Sequence, residues 1–405
     1  MADDTKKKAV SDIHHKIARI QQEMEDTIAT FEQKHDRIIY IDEDVTAGRK
    51  EQSVAYLDSN YVGPHTFRES SYSDEPNEAE SSAKTEPKSM EDFPESSRPP
   101  VVEAIHAEID KVVVGYDDVI DDLLTVMLAG GHIILEGYPG IAKTTLAKAF
   151  THVLGISYNR IQFTPDMLPQ DVTGHYYFNQ KDVVFEVRRG PIFTNLLLAD
   201  EINRGTPKAQ SAFLEAMQEK QVTIEGTTFP IPSPFMVIAT VNPLETEGVY
   251  AIPIAQADRF TFKLIMGYVD DEQELDVLRL KASEPIERMN KLNVIDTSEL
   301  FEAFNDVYVD DDILTYIHGI LKATRNSPLL SIGASPRAGV HLLNASKAKA
   351  CLEGRSYVIP DDVQYVAWRA LPHRLVPSPE TSTEDVSMTK VIDTLLSSVS
   401  VPLKE

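Results

Sequence analysis

Short apolar runs of strand type alternate with stretches of helical period through the middle of the chain. The runs are Ile133-Ile134-Leu135, Arg160-Ile161-Gln162-Phe163, Leu196-Leu197-Leu198-Ala199 and Met236-Val237-Ile238-Ala239-Thr240, and segments such as Thr144 to Leu154 and Pro207 to Glu219 lie between them. This alternation predicts a parallel sheet with helices on both faces. After about Asp270 no strand is expected. Segments 271–281, 298–305, 310–325, 336–353 and 360–370 have helical period, which predicts a small helical domain following the sheet. Two stretches alternate polar and apolar residues instead. Residues 172–192, around Asn179-Gln180-Lys181-Asp182, predict a hairpin inserted in a core helix, and residues 220–235 predict a second hairpin ahead of Met236.

The N-terminal part has a different pattern. Between residues 8 and 41, Ile13, Ile17, Ile20, Met24, Thr27 and Phe31 fall alternately four and three apart, the seam of a coiled coil or helical hairpin, or equally of an amphipathic helix packed on its own protein. From about Gly63 to Pro100, Ser, Glu, Pro and Lys dominate, and such a stretch buries too little apolar surface to offset its chain entropy. The expected organisation is a helical extension over 1–62, a disordered linker over 63–100, an α/β core over 101–268, a helical domain over 269–380, and a C-terminal helix and tail over 381–405.

Composition narrows the functional classes. The 405 residues suffice for two or three domains with apolar cores, and 42% hydrophobic content fits a globular protein. No run approaches the ~20 apolar residues of a membrane-spanning helix, and the lysines after Met1-Ala2-Asp3-Asp4 lead into no apolar signal, so neither a membrane span nor secretion is expected. The single cysteine, Cys351, forms no internal disulfide, which suits a cytoplasmic location. A net charge of −25 disfavours nucleic acid as a partner, because a phosphate backbone is repelled by an acidic surface, and it favours solubility.

The chemistry is concentrated where strands end. Ile133 to Leu135 leads into Glu136-Gly137-Tyr138-Pro139-Gly140-Ile141-Ala142-Lys143-Thr144-Thr145, and helical sequence follows. A strand, a glycine-bearing loop and Lys-Thr opening a helix form a phosphate cradle. Main-chain N–H groups face the anion, the lysine reaches the outer phosphates, and the threonine hydroxyl suits magnesium. Ala142 stands where a strict phosphate-loop pattern has glycine. The run Leu196 to Ala199 ends in Asp200-Glu201, two carboxylates at the strand end that faces the ligand crevice of an α/β sheet. Asp200 is suited to hold the metal, and Glu201 to orient and deprotonate an attacking water. Asn242, after Met236 to Thr240, is a neutral amide able to hold that water in line. Arg259, in Ala257-Asp258-Arg259-Phe260, and Arg337, in Ser335-Pro336-Arg337-Ala338, are candidates for neutralising charge on the γ-phosphate.

Taken together these segments resemble the MoxR branch of the AAA+ ATPases. The likeness rests on the phosphate loop and on Arg160-Ile161-Gln162-Phe163-Thr164-Pro165-Asp166, Pro169-Gln170-Asp171-Val172-Thr173-Gly174, Gly190-Pro191-Ile192-Phe193, the run from Leu198-Ala199-Asp200-Glu201-Ile202-Asn203-Arg204 to Glu219, Ala239-Thr240-Val241-Asn242-Pro243 and Gly333-Ala334-Ser335-Pro336-Arg337-Ala338. It covers nearly everything from Val101 to Pro377. The resemblance implies a sheet of order 5-1-4-3-2, an α-helical lid, and ATP with Mg2+ as the bound species. By position, Lys143 and Thr144 are Walker A, Asp200 and Glu201 Walker B, Asn242 sensor 1, Arg337 sensor 2 and Arg259 an arginine finger, while Val114 and Gly115 lie along the adenine. It further implies a homo-oligomeric ring, usually a hexamer, with hairpins that contact clients. The role implied is chaperone-like, assisting client maturation or metal or cofactor insertion, often with a von Willebrand factor A domain partner. The chain departs from the family at Tyr116, where glutamine is frequent, at Ile254, where glutamate is usual, and over its first 100 residues, which match no part of the family core. An ATP-switched assembly platform recruited through the N-terminal helix is an alternative, and a nucleic-acid motor is disfavoured because Lys181, Arg188 and Arg189 are the only basic cluster in the first hairpin.

Overall fold

The computed structural model describes residues 97–244, 249–282, 289, 291–383 and 387–402. The expected N-terminal helix and almost all of the linker lie outside the described residues. Two helices, α1 (Pro100–Ile109) and α2 (Asp117–Leu128), precede the first strand, β1 (Ile133–Gly137), which is followed by α3 (Lys143–Val153). Next come β2 (Tyr158–Gln162), the short α4 (Pro169–Thr173), the hairpin β3 (Gly174–Asn179) and β4 (Val184–Arg189), then β5 (Leu196–Asp200) and α5 (Pro207–Glu219). A second hairpin, β6 (Gln221–Ile224) and β7 (Thr227–Pro230), leads to β8 (Met236–Val241), α6 (Ile254–Ala257) and β9 (Phe262–Met266).

Strands β2, β5, β8, β1 and β9 lie side by side in that order, all parallel. Counting the five in chain order gives 5-1-4-3-2, the expected arrangement. The central strands are continuous apolar runs because both of their faces are covered. Alternate residues point to opposite sides. Leu196, Leu198, Met236 and Ile238 join α1, α2 and α3 in one core, whereas Leu197, Ala199, Val237 and Ala239 meet Phe213 and Met217 of α5 in another. Strand β9 was not among the apolar runs picked out of the sequence. It is an edge strand whose Lys263 and exposed Ile265 interrupt the pattern.

The C-terminal part contains α7 (Asp271–Ala282), α8 (Ser298–Asp306), α9 (Asp311–Asn326), α10 (Pro336–Leu352), α11 (Pro360–Ala370), α12 (Pro379–Thr383) and α13 (Met388–Ser397). One expectation needs correcting. A small antiparallel pair, β10 (Leu330–Ile332) with β11 (Val376–Pro377), lies where no strand was expected, because strands of two or three residues carry no readable period. The first hairpin also differs from expectation: α4 precedes it, but bends rather than helix follow it. Gly174 ends α4 at φ +94°, a conformation glycine adopts freely, and a Cβ there would lie 2.2 Å from the Arg188 carbonyl oxygen. The second hairpin turns through Glu225 and Gly226, both at positive φ, as a tight two-residue turn requires.

The helical part shares its apolar core with the α1–α3 side of the sheet, so the two are packed together. Half-buried Trp368 of α11 belongs to this packing. A polar seam adds direction to it. Asp122 of α2, only 2% exposed, accepts hydrogen bonds from Tyr365 Oη at 3.0 Å and Arg369 Nε at 2.8 Å, and the Arg369 guanidinium stacks on the Tyr365 ring at 3.5 Å. Burial pushes the Asp122 carboxyl up to about 6 despite the opposing Arg369 charge.

Candidate functional site

A cleft of about 320 Å³ opens at the C-terminal ends of β1, β5 and β8, lined by Pro139, Gly140, Ala142, Lys143, Thr144, Thr145, Asp200, Glu201, Thr240 and Asn242. The sheet positions these groups. Parallel register carries Leu135 beside Thr240 and Gln162 beside Asp200, so three strand ends bring their last polar residues to one rim.

The loop from Gly137 to Ala142 turns through Gly140 at φ +88° and Ala142 at φ +65°, the latter forming the N-cap of α3. The left-handed conformation at Ala142 is one that glycine adopts more readily. At Gly137 the space is tight on both sides: a Cβ would lie 2.6 Å from Ile141 Cδ1 and 2.8 Å from the Met266 carbonyl oxygen. Ile141 is buried beneath the loop. Lys143 Nζ donates to the Gly137 carbonyl at 2.5 Å and the Tyr138 carbonyl at 3.1 Å. Partial burial lowers its pKa, and the charges of Asp200 and Glu201 act in the opposite sense. A cation held at a loop of main-chain amides is an anion trap.

Thr240 joins the acidic pair. Its hydroxyl donates to Asp200 Oδ1 at 2.5 Å and accepts the Glu201 N–H at 2.9 Å. The other Asp200 oxygen receives Arg160 Nη2 at 2.6 Å and Nε at 3.1 Å. Glu201, held at φ +52°, accepts Gln162 Nε2 at 2.6 Å and is paired with Arg204 at 3.1 Å. Strained non-glycine backbone of this kind clusters at functional sites. Thr240, Arg160, Gln162 and Arg204 were not singled out as site residues from the sequence. Arg160 and Gln162 were detectable in principle, since two polar residues spaced by two share one face of a strand. Asn242 Oδ1 accepts the Leu244 N–H at 3.1 Å, which fixes the side chain at the strand end.

Val114 and Gly115 lie outside the cleft lining, in a rim of their own. Gly115 is at φ +79°, and a Cβ on it would stand 2.5 Å from Gln273 Oε1 of α7. Next to it Tyr116 Oη donates to the Gly267 carbonyl at 3.2 Å, and Tyr138 of the phosphate loop stacks on Tyr268 with centroids 5.4 Å apart. The segment before α2, the phosphate loop and the end of β9 therefore meet.

Arg259 and Arg337 are also outside the lining and lie together elsewhere. Arg259 Nη1 donates to the Leu214 carbonyl of α5 at 2.6 Å. Arg337 lies 3.4 Å from Asp258 Oδ2 and 3.5 Å from Gln218 Oε1, also of α5. Ser335, the N-cap of α10, places its hydroxyl 2.9 Å from both Asp258 oxygens. The structure thus brings Lys143, Thr144, Asp200, Glu201 and Asn242 to one cleft and sets the two arginines against α5, at Leu214 and Gln218.

Among the described residues no group of three or more His, Cys, Asp or Glu side chains forms a metal cage, and no helix is long and apolar enough to cross a membrane. The hard oxygens of Thr144 and Asp200 in the cleft do fit a magnesium ion, which keeps most of its water and shares phosphate oxygens rather than filling a protein cage.

Comparison with known proteins agrees with this geometry. The profile of the ATPase family associated with various cellular activities (AAA) matches residues 132–262, and the AAA lid domain matches residues 322–393. Protein YeaC of Bacillus subtilis is 46% identical over 298 residues, 73% of this chain and 93% of that protein. Chaperone MoxR1 of Mycobacterium tuberculosis is 40% identical over 304 residues, 73% of this chain and 81% of its own length. The crystal structure of a candidate ATPase from Cytophaga hutchinsonii superposes with a TM-score of 0.70 at 39% identity, covering 75% of this chain and 96% of that one.

Proposed function

The chain belongs to the MoxR-type AAA+ ATPases, and from that footing we propose that it hydrolyses ATP in a homo-oligomeric ring, a hexamer in the usual family form, and remodels client proteins in the cytoplasm. The observation that carries the reading is the convergence of Lys143, Thr144, Asp200, Glu201 and Asn242 on one cleft. In it, the main-chain amides from Gly140 to Thr145 and the Lys143 ammonium bind the phosphates. Thr144 and Asp200 would hold magnesium, which when bound neutralises charge on the outer phosphates. Glu201 takes a proton from the attacking water, and Asn242 orients that water. Gln162 and Arg204 hold the Glu201 carboxylate, and Thr240 locks the acidic pair to β8.

Arg259 and Arg337 lie outside the cleft of their own chain, which supports the reading that they act on the nucleotide of a neighbouring subunit. A chaperone-like role, such as client maturation or metal or cofactor insertion, draws support from the likeness to chaperone MoxR1 of Mycobacterium tuberculosis. A partner with a von Willebrand factor A domain would fit it. Calorimetry and phosphate release test the reading: Lys143→Ala should abolish ATP binding, while Glu201→Gln should retain binding and stop turnover. Persistent turnover by Glu201→Gln would refute its role as base. Capture with the Glu201→Gln protein in the presence of ATP should retain the client.

A further inference from the structure

Arg374, just beyond α11, is 2% exposed and heads the fully buried side chains by size. An arginine has five N–H donors in a fixed fork, and here all five are engaged. Nε meets Asp258 Oδ1 at 2.9 Å, Nη1 donates to the Thr261 carbonyl at 3.1 Å and to the Ala370 carbonyl, and Nη2 donates to the carbonyls of Asp258 at 3.1 Å and Phe260 at 2.5 Å. Only the Ala370 contact caps its own helix. The other four grip the turn from Asp258 to Thr261, and Arg259 is inside that turn.

Three main-chain carbonyls from four consecutive residues point at one guanidinium. Without a cation among them they would repel one another, and each buried oxygen left unpaired would cost about 1–3 kcal/mol. The turn is held by other lid groups as well. His373 Nε2 lies 2.9 Å from the Phe260 carbonyl oxygen, and His341 Nδ1 lies 2.7 Å from Thr261 Oγ1. On the core side the Thr261 N–H donates to the His132 carbonyl at 2.7 Å. The direction in which Arg259 leaves the turn is therefore fixed between lid and sheet.

We infer that Arg374 is a positioning residue for Arg259: it sets the conformation of the Asp258–Thr261 turn and so ties the lid of one subunit to the catalytic charge supplied to the next. This rests on the reading of Arg259 as a finger acting in trans. Arg374→Lys keeps the charge with three donors and no fork, and Arg374→Gln is the second variant should a buried lysine unfold the chain. The full-length protein with either change should bind ATP with unchanged affinity while kcat falls about tenfold to a hundredfold, the scale of a misplaced catalytic group. In an Arg259→Ala background the same change should lower kcat no further. Mixed with Glu201→Gln protein, the Arg374 variant should regain turnover; mixed with Arg259→Ala protein, it should not. Additive losses in the double variant, weaker ATP binding, or a lowered Tm with undiminished kcat would overturn the inference. Full activity of Arg259→Ala alone would instead overturn the finger reading beneath it.

Discussion

The cleft at the ends of β1, β5 and β8 and the arginine cluster around Asp258 are built on opposite plans. The cleft is made from residues close to the strand ends that carry them, and its hydrogen bonds run between neighbouring strands. The cluster is made from residues about a hundred apart: Arg374 reaches Asp258 across 116 positions and His341 reaches Thr261 across 80. One is a pocket whose lining comes from a single chain. The other holds its arginines on Asp258 and on α5, away from the cleft, through groups of the helical part. With the roles proposed for them, this difference predicts that binding and turnover are lost separately.

The sharpest way to break this comparison is to disable each half in a different chain. Arg259→Ala should reduce turnover by about 10³ or more, and Glu201→Gln by about 10²–10⁴, each with ATP binding intact by calorimetry. Mixed rings should recover activity, since about a quarter of head-to-tail interfaces then join an intact cleft to an intact finger. No recovery in rings shown by mass spectrometry to be mixed would place both halves in one subunit.

Smaller effects should divide the same way. Thr240→Val keeps the shape of β8 but removes the hydroxyl from Asp200 and Glu201, and leaving those groups underpaired should cost about 1–3 kcal/mol, or roughly tenfold to a hundredfold in turnover. Steady-state assays at saturating ATP would read it, with no change expected in mixing behaviour.

Acid should strike the cluster side. Burial lowers His132 to about 4, and burial with the Arg374 charge lowers His341 to about 3; His373 is depressed for the same reasons in the same order. These groups are neutral when folded and take up protons on unfolding, so the stability they contribute is complete above about 6.5 and is lost as pH falls toward 4 and 3. Asp122, raised to about 6, works in the opposite direction and offsets about one proton over part of that window. The net loss should be about 1–3 kcal/mol by pH 5.5, measured by denaturant titration. No histidine lines the cleft among the described residues, so ATP binding by the folded fraction should outlast turnover. The smallest change is Ala142→Gly, which relieves a left-handed alanine and should leave stability equal or raise it by about 1 kcal/mol, visible as a higher Tm.

The sequence is legible where chemistry follows a strand directly. The phosphate loop, Asp200-Glu201 and Asn242 each close an apolar run, and they line the cleft apart from Gly137, Tyr138 and the buried Ile141 of the loop. Helices such as 360–370 could be read to the residue because Pro360 opens α11. Thr240 could not be read as a clasp, since its task exists only once β8 lies beside β5 with Ala239 opposite Ala199. Arg374 looked like any arginine near a helix end. Nothing local announces that its partners are the carbonyls of a turn more than a hundred residues earlier. The helix expected to resume after the first hairpin failed because Gly190-Pro191 follows β4, and a Cβ on Gly190 would lie 2.2 Å from the Val172 carbonyl oxygen.

Trp368 is the chain's single tryptophan, and it sits on α11 beside the Arg369 that grips α2, six residues before Arg374. Its emission is a built-in optical gauge of how the lid is seated. Excitation at wavelengths that spare tyrosine ignores the stacked Tyr138 and Tyr268, so nucleotide addition will alter the spectrum only if events in the pocket travel to α11.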